Sequence, residues 1–142
     1  KFSERFSDEY ALLIRLHPQV HTGEVDAGES AIDMTGYPDV GELVRICDLL
    51  ITDYSSICMD FVLLKKPCLF YAFDLEEYER ERSFFFSYED YVPGKTAKTF
   101  DGLLDMIASE DFGKDRQEKF REFNFDVFDG KSAERTVDAI VK

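Results

Sequence analysis

Along this chain, short and nearly continuous apolar runs alternate with longer stretches in which apolar residues recur every third or fourth position. The runs read as strands: "YALLIRLHP" (10–18, ended by Pro18), "AIDMTGY" (31–37), "DLLIT" (48–52) and "PCLFYAF" (67–73). Unbroken apolarity over that length suits a parallel strand covered on both faces. The stripes read as helices. "PDVGELVRICD" (38–48) aligns Val40, Leu43, Val44 and Cys47 on one face. "SSICMDFVLLKK" (55–66) is apolar almost all round, with Ile57, Phe61 and Leu64 stacked and Lys65 and Lys66 in the last turn, where cations suit the helix dipole. Residues 99–111 and 113–128 are predicted helical, the first with Phe100, Leu103, Leu104 and Ile107 on one face. Residues 129–142 offer Gly130 as a turn, Ser132 as an N-cap, and Val137, Ile140 and Val141 as a buried stripe.

Between these elements, residues 1–9 read as the end of a helix, and the polar 19–30 with Gly23 and Gly28 as loop. Residues 74–95 predict a short charged helix, then a loop that packs Phe84, Phe85 and Phe86 onto the body and turns at Pro93–Gly94. Strand, helix and strand joined this tightly require a right-handed parallel unit. The prediction is an α/β fold: a Rossmann-like open parallel sheet flanked by helices.

In such sheets ligands sit outside the carboxyl ends of the strands, where the next helices begin. "TDYSS" (52–56) occupies that place. A helix starting near Ser55 turns N–H groups and the positive dipole end toward the crevice, and Ser55 and Ser56 add hydroxyls without bulk, so an anion such as a phosphate would fit. Capping of the helix by Asp53 or Ser55 is the commoner explanation for such residues. His17 closes a strand at the same edge, and Pro18 pushes it toward extended backbone. It could donate to a phosphate or transfer a proton, or be tethered to the loop. His21 follows four residues later, but Pro18 disfavours a helical zinc pair. In "DGKSAER", Arg135 lies in the first turn of a helix begun at Ser132; a cation there opposes the dipole unless an anion shares the site.

With 142 residues and one expected domain, about 68–70% of the unfolded surface can be buried. A hydrophobic content of 44% with fourteen Phe and seven Tyr argues against disorder despite the charge. A formal net charge of -13 and no basic stripe argue against nucleic-acid binding, yet one phosphate can still be held locally by amides, hydroxyls and a single Arg. The pattern holds no membrane span and no signal peptide, which predicts a soluble, cytoplasmic fragment. Cys47, Cys58 and Cys68 lack metal-type spacing and read as reduced core thiols. No metal or cofactor is implied. The first residue is Lys, which together with an early strand suggests a piece of a longer protein. The usual dinucleotide and P-loop glycine patterns are absent.

Taken together, "RLHP", "DLLITDYSSICMDF", "KKPCLFYAFDLEEYERER", "PG" and "DGKSAER" resemble, in order and approximate spacing, the CDP-glycerol:poly(glycerophosphate) glycerophosphotransferase family, the teichoic acid polymerases. The resemblance covers nearly the whole chain. It implies the C-terminal, nucleotide-donor half of a two-domain fold of the GT-B glycosyltransferase type. The implied substrate is CDP-glycerol or CDP-ribitol, with transfer of the polyol phosphate to a teichoic-acid-like or capsular polymer and release of CMP. On that resemblance His17 matches the histidine that contacts the donor phosphates and supports departure of CMP. Ser55 and Ser56, with Asp53 of the same motif, match the grip on the pyrophosphate, and Ser132 and Arg135 reach the same anion. Arg82 counts as a further donor ligand. The presumed base and the acceptor site lie in an N-terminal half that this chain lacks, so the fragment is expected to bind donor weakly and not to turn over. The parent protein is expected peripherally at the inner membrane face. After Arg82 the family usually has Gly, Phe and Tyr where this chain has Ser83, Phe84, Phe85 and Phe86, and Lys95 stands where a second Pro is usual. The loop is therefore expected to differ in shape or polyol preference. Competing readings are a sugar-nucleotide transferase or epimerase half-domain, a receiver-like signalling domain phosphorylated at Asp53, and a catalytically idle scaffold.

Overall fold

A computed structural model describes residues 1–17 and 31–141. The predictions for Pro18, His21 and the loop over 19–30 lie outside the described residues. The chain divides into two compact units, 1–47 and 48–142.

In the first unit, helix α1 (Phe2–Phe6) buries Phe6, whose ring lies 5.3 Å from Phe2 and 5.9 Å from Tyr10. Strands β1 (Leu12–Ile14) and β2 (Ala31–Asp33) pair in parallel with Leu13 opposite Ile32. The Arg15 guanidinium ties the end of β1 to the carbonyls of Met34 and Tyr37. Helix α2 (Val40–Ile46) starts where Asp39 accepts from the amides of Gly41 at 2.8 Å and Glu42 at 3.3 Å, satisfying two of the donors a helix start leaves unpaired. It buries Leu43 and Val44, whereas Val40, at the edge of the predicted stripe, is exposed.

The second unit holds a three-stranded parallel sheet in the order β3 (Leu50–Thr52), β4 (Cys68–Tyr71), β5 (Lys95–Ala97). The central β4 buries Cys68, Leu69 and Phe70, which explains the unbroken apolar run. Helices α3 (Ile57–Leu63) and α6 (Phe100–Ala108) pack on it. Phe61, Val62, Leu69, Phe70 and Leu104 form the most deeply buried part of this core, each contributing roughly 1.5–3 kcal/mol. The segment after β4 folds as α4 (Leu75–Arg82) and a short α5 (Tyr88–Tyr91), followed by β5, then α6, α7 (Lys114–Asn124) and α8 (Ser132–Ile140).

Four details differ from the sequence pattern. Helix α3 ends before the lysines: Lys65 has a left-handed φ of 58°. Its buried face is Cys58, Phe61 and Val62, while Leu64 is exposed. Strand β5 escapes the pattern because "KTA" is too short and polar to read as a strand; it exists because Gly94 lets the backbone lie against β4. On α8 and its C-cap the predicted buried stripe is exposed, Val137 at 56%, Ile140 at 75% and Val141 at 76%, as is every residue of that helix.

Candidate functional site

The connection from β3 to α3 is residues 53–56. Asp53 turns its carboxylate onto the next amide, Tyr54 N, at 2.6 Å. Ser55 Oγ accepts from Ile57 N at 3.4 Å. Ser56 stands at the N-cap position without capping, and its hydroxyl has no partner among the described residues. Neither Asp53 nor Ser56 therefore serves the helix end, and Ser55 does so only through one long bond. Capping does not account for this cluster of polar side chains.

Two tyrosines fix the loop. Tyr88 Oη donates to the carbonyl of Asp53 at 2.6 Å, and Tyr54 Oη donates to Asp74 Oδ1 at 2.7 Å. The Tyr54 ring stacks on Tyr78 with centroids 3.7 Å apart, and Phe84 stacks on the same Tyr78 at 5.4 Å. Tyr88 lies 5.4 Å from Tyr54 and 5.1 Å from Phe84. Burial first, and for Tyr54 the Asp74 hydrogen bond next, push both phenols above their ordinary value, so both remain protonated donors. Sequence reasoning placed Phe84 only in a packing loop and gave Tyr54 and Tyr88 no role; the available signal was an aromatic ring set inside a polar motif.

The remaining predicted residues fall on three other stretches. His17 is exposed, three positions beyond β1, behind Leu16, whose amide donates to Thr35 Oγ1 at 3.2 Å. Arg82 is the exposed last residue of α4. Ser132 and Arg135 meet in the first turn of α8, but Ser132 is the first helical residue and not the cap. Its Oγ accepts from Arg135 Nη2 at 3.2 Å, and Nη1 of the same guanidinium binds Asp129. Two open hollows lie elsewhere, about 350 Å³ beside α2 and about 650 Å³ between α5 and α7, the larger walled by Phe86, Tyr91, Phe120 and Phe123. Among the described residues no group of three His, Cys, Asp or Glu is placed to hold a metal ion.

A model of the CDP-Glycerol:Poly(glycerophosphate) glycerophosphotransferase family matches residues 1–142. The chain belongs to this family. It is 37% identical over 137 residues to the teichoic acid poly(ribitol-phosphate) polymerase of Bacillus spizizenii, covering 94% of this chain and 22% of that protein. It is 35% identical over 150 residues to the teichoic acid poly(glycerol phosphate) polymerase of Bacillus subtilis, covering 98% of this chain and 20% of that one. The solved wall teichoic acid polymerase TagF superposes with a TM-score of 0.79 at 30% identity over 99% of this chain and 36% of its own. The chain thus spans a fifth to little more than a third of the length of these polymerases. The likeness bears out the α/β fold of the GT-B type and displaces the receiver and epimerase readings. Where the resemblance leads one to expect a departure, after Arg82, Ser83 adopts φ 62° and ψ 158°, a backbone region essentially reserved for glycine. The turn after α4 therefore has glycine-like backbone geometry although it carries a serine.

Proposed function

We propose that this chain is the donor-binding part of a polyol-phosphate transferase that takes CDP-glycerol or CDP-ribitol, passes the polyol phosphate to a polyol-phosphate polymer, and releases CMP. An acceptor hydroxyl attacks the phosphorus next to the polyol, and the bond from that phosphorus to the CMP oxygen breaks. Ser55 and Ser56, on the loop led by Asp53, hold the pyrophosphate. Ser132, Arg135 and Arg82 add donors to it. His17 contacts the donor phosphates and protonates or shields the departing CMP. Donors fixed in advance around a growing negative charge are the kind of preorganisation that contributes most to such reactions.

The observation that carries this reading is the uncommitted Ser56 hydroxyl in a loop braced by two tyrosines, within a chain of this family. The acceptor site and the general base belong to a further, N-terminal part of the parent protein, which acts peripherally at the inner membrane face. Among the described residues no helix is long and apolar enough to cross a membrane. Calorimetry with CDP-glycerol, CDP-ribitol and UDP-sugars tests the proposal. Binding of either CDP-polyol, weakened by Ser56→Ala and His17→Ala, is expected; a preference for a UDP-sugar overturns it.

A further inference from the structure

Residues 53–56 are short, polar and placed between a strand and a helix, and such a connection is ordinarily among the least rigid parts of a domain. Here it is held from two sides by groups far away in sequence. Tyr88 reaches back 35 positions to the Asp53 carbonyl, and Tyr54 reaches forward 20 positions to the Asp74 carboxylate at the start of α4. Both rings belong to one aromatic cluster with Tyr78 and Phe84, and Tyr88 also sets its edge against Phe70 of the central strand, 6.1 Å between centroids. The loop is thereby referenced to the most buried strand of the unit. Each of the two hydroxyl bonds fixes the loop at a different point, one through the backbone before Tyr54 and one through the Tyr54 side chain.

We infer that Tyr54 and Tyr88 are positioning residues, which hold the backbone of residues 53–56 in the one posture that presents Ser55 and Ser56 together to an anionic group. The inference rests on the proposed donor site and deepens it: neither tyrosine touches the donor, and both act through the serine loop. Phe84 belongs to the same brace. It is delivered to Tyr78 by the glycine-like turn at Ser83, so the loop after α4 bears on donor binding through the rings and not by contact. Binding to a mobile loop is weakened by the fraction of time the loop is out of place, which is the cost that bracing removes.

The test uses Tyr88→Phe and Tyr54→Phe, each of which deletes one hydroxyl and keeps the ring. Tyr91→Phe is the control, because it deletes a comparable bond, Tyr91 Oη to Asn124 Oδ1 at 2.6 Å, elsewhere in the same unit. Four readouts are taken on this chain: amide hydrogen exchange at residues 54–57, affinity for CDP-glycerol, affinity for cytidine, which lacks phosphates, and melting temperature. Tyr88→Phe should speed loop exchange and weaken CDP-glycerol binding, each by about 5- to 10-fold, with cytidine binding unchanged. Tyr91→Phe should lower the melting temperature as much as Tyr88→Phe does, without either effect on the loop or on CDP-glycerol. Loop exchange at the wild-type level in Tyr88→Phe, or equal loss of CDP-glycerol affinity in Tyr91→Phe, overturns the inference. If the wild-type chain does not bind CDP-glycerol, the proposed donor site falls, while the exchange measurement still decides whether the tyrosines hold the loop.

Discussion

Arg135 donates through one guanidinium nitrogen to both carboxylate oxygens of Asp129, at 2.9 and 2.7 Å. The cation that the sequence marks as misplaced against the dipole of α8 thus already has its anion, supplied six residues upstream. A phosphate arriving at this turn must displace that carboxylate. The pair is exposed and screened by solvent, so displacement is cheap.

If Arg135 serves the donor, Asp129→Asn should raise CDP-glycerol affinity by about two- to fivefold, because the competing charge is gone. The gain should vanish when Arg135→Ala is added. Calorimetry on the single and double variants decides this: a gain that survives in the double variant removes Arg135 from the site.

The same geometry fixes a titration. The Arg135 hydrogen bond first, and the Lys131 amide next, hold the Asp129 carboxyl below its ordinary value of 3.8. A depressed carboxyl stabilises the folded chain above that ordinary value and loses its contribution as pH falls through the lowered one. Carbon-detected NMR should therefore place the Asp129 midpoint below 3.8, and Arg135→Ala should return it toward that value.

Gly94 marks a close approach of two strands. A Cβ built there would lie 2.0 Å from the carbonyl oxygen of Cys68, a backbone atom that cannot swing aside. Gly94→Ala should destabilise the chain by about 2–3 kcal/mol, the range expected when a packed site is overfilled. Chemical denaturation measures it, and a loss under about 0.5 kcal/mol would show that β4 and β5 can separate at no cost.

Much of this architecture is legible in the chain because burial on both faces leaves an unmistakable mark: β4 and the apolar core of α3 follow directly from "PCLFYAF" and "SSICMDFVLLKK". β5 is invisible for the opposite reason, since its strand character depends on what Gly94 permits and not on its own residues. The stripe on α8 misleads because periodicity reports that a face is apolar, not that anything covers it. At the site, the serines are legible from their place between strand and helix. The tyrosine brace is not, because its partners lie 20 and 35 positions away and nothing local announces them.

Burial also sets the chemistry of the thiols. It pushes Cys58 up to about 11 and Cys68 up to about 12, so neither forms thiolate near neutrality. At pH 8 a thiol reagent should modify the half-buried Cys47 first, with Cys58 and Cys68 reacting only as fast as the unit opens. A thiol whose folded value is raised stabilises the fold below its ordinary 9.0 and loses that contribution as pH climbs through the raised value. The melting temperature should accordingly drop between pH 9 and 11 in the wild type, and less steeply in Cys58→Ala. Labelling of Cys58 at the rate of Cys47 would contradict the burial.

Ser83 stores strain where the aromatic brace begins. At φ 62° and ψ 158° its Cβ is held in a region that costs a non-glycine residue of order 1–3 kcal/mol, and it stays there because Ser83 N is bonded to the Glu79 carbonyl while Phe84 is stacked on Tyr78. Glycine would adopt the same backbone without that cost, at the expense of a more flexible unfolded chain, which returns up to about 1 kcal/mol of the gain. Ser83→Gly should therefore raise stability by about 0.5–1.5 kcal/mol, with Ser83→Ala near the wild type because it keeps the Cβ. Thermal melts of the three chains separate strain from side-chain chemistry. A glycine variant less stable than the wild type would mean that the serine hydroxyl, and not the backbone angle, is what the turn requires.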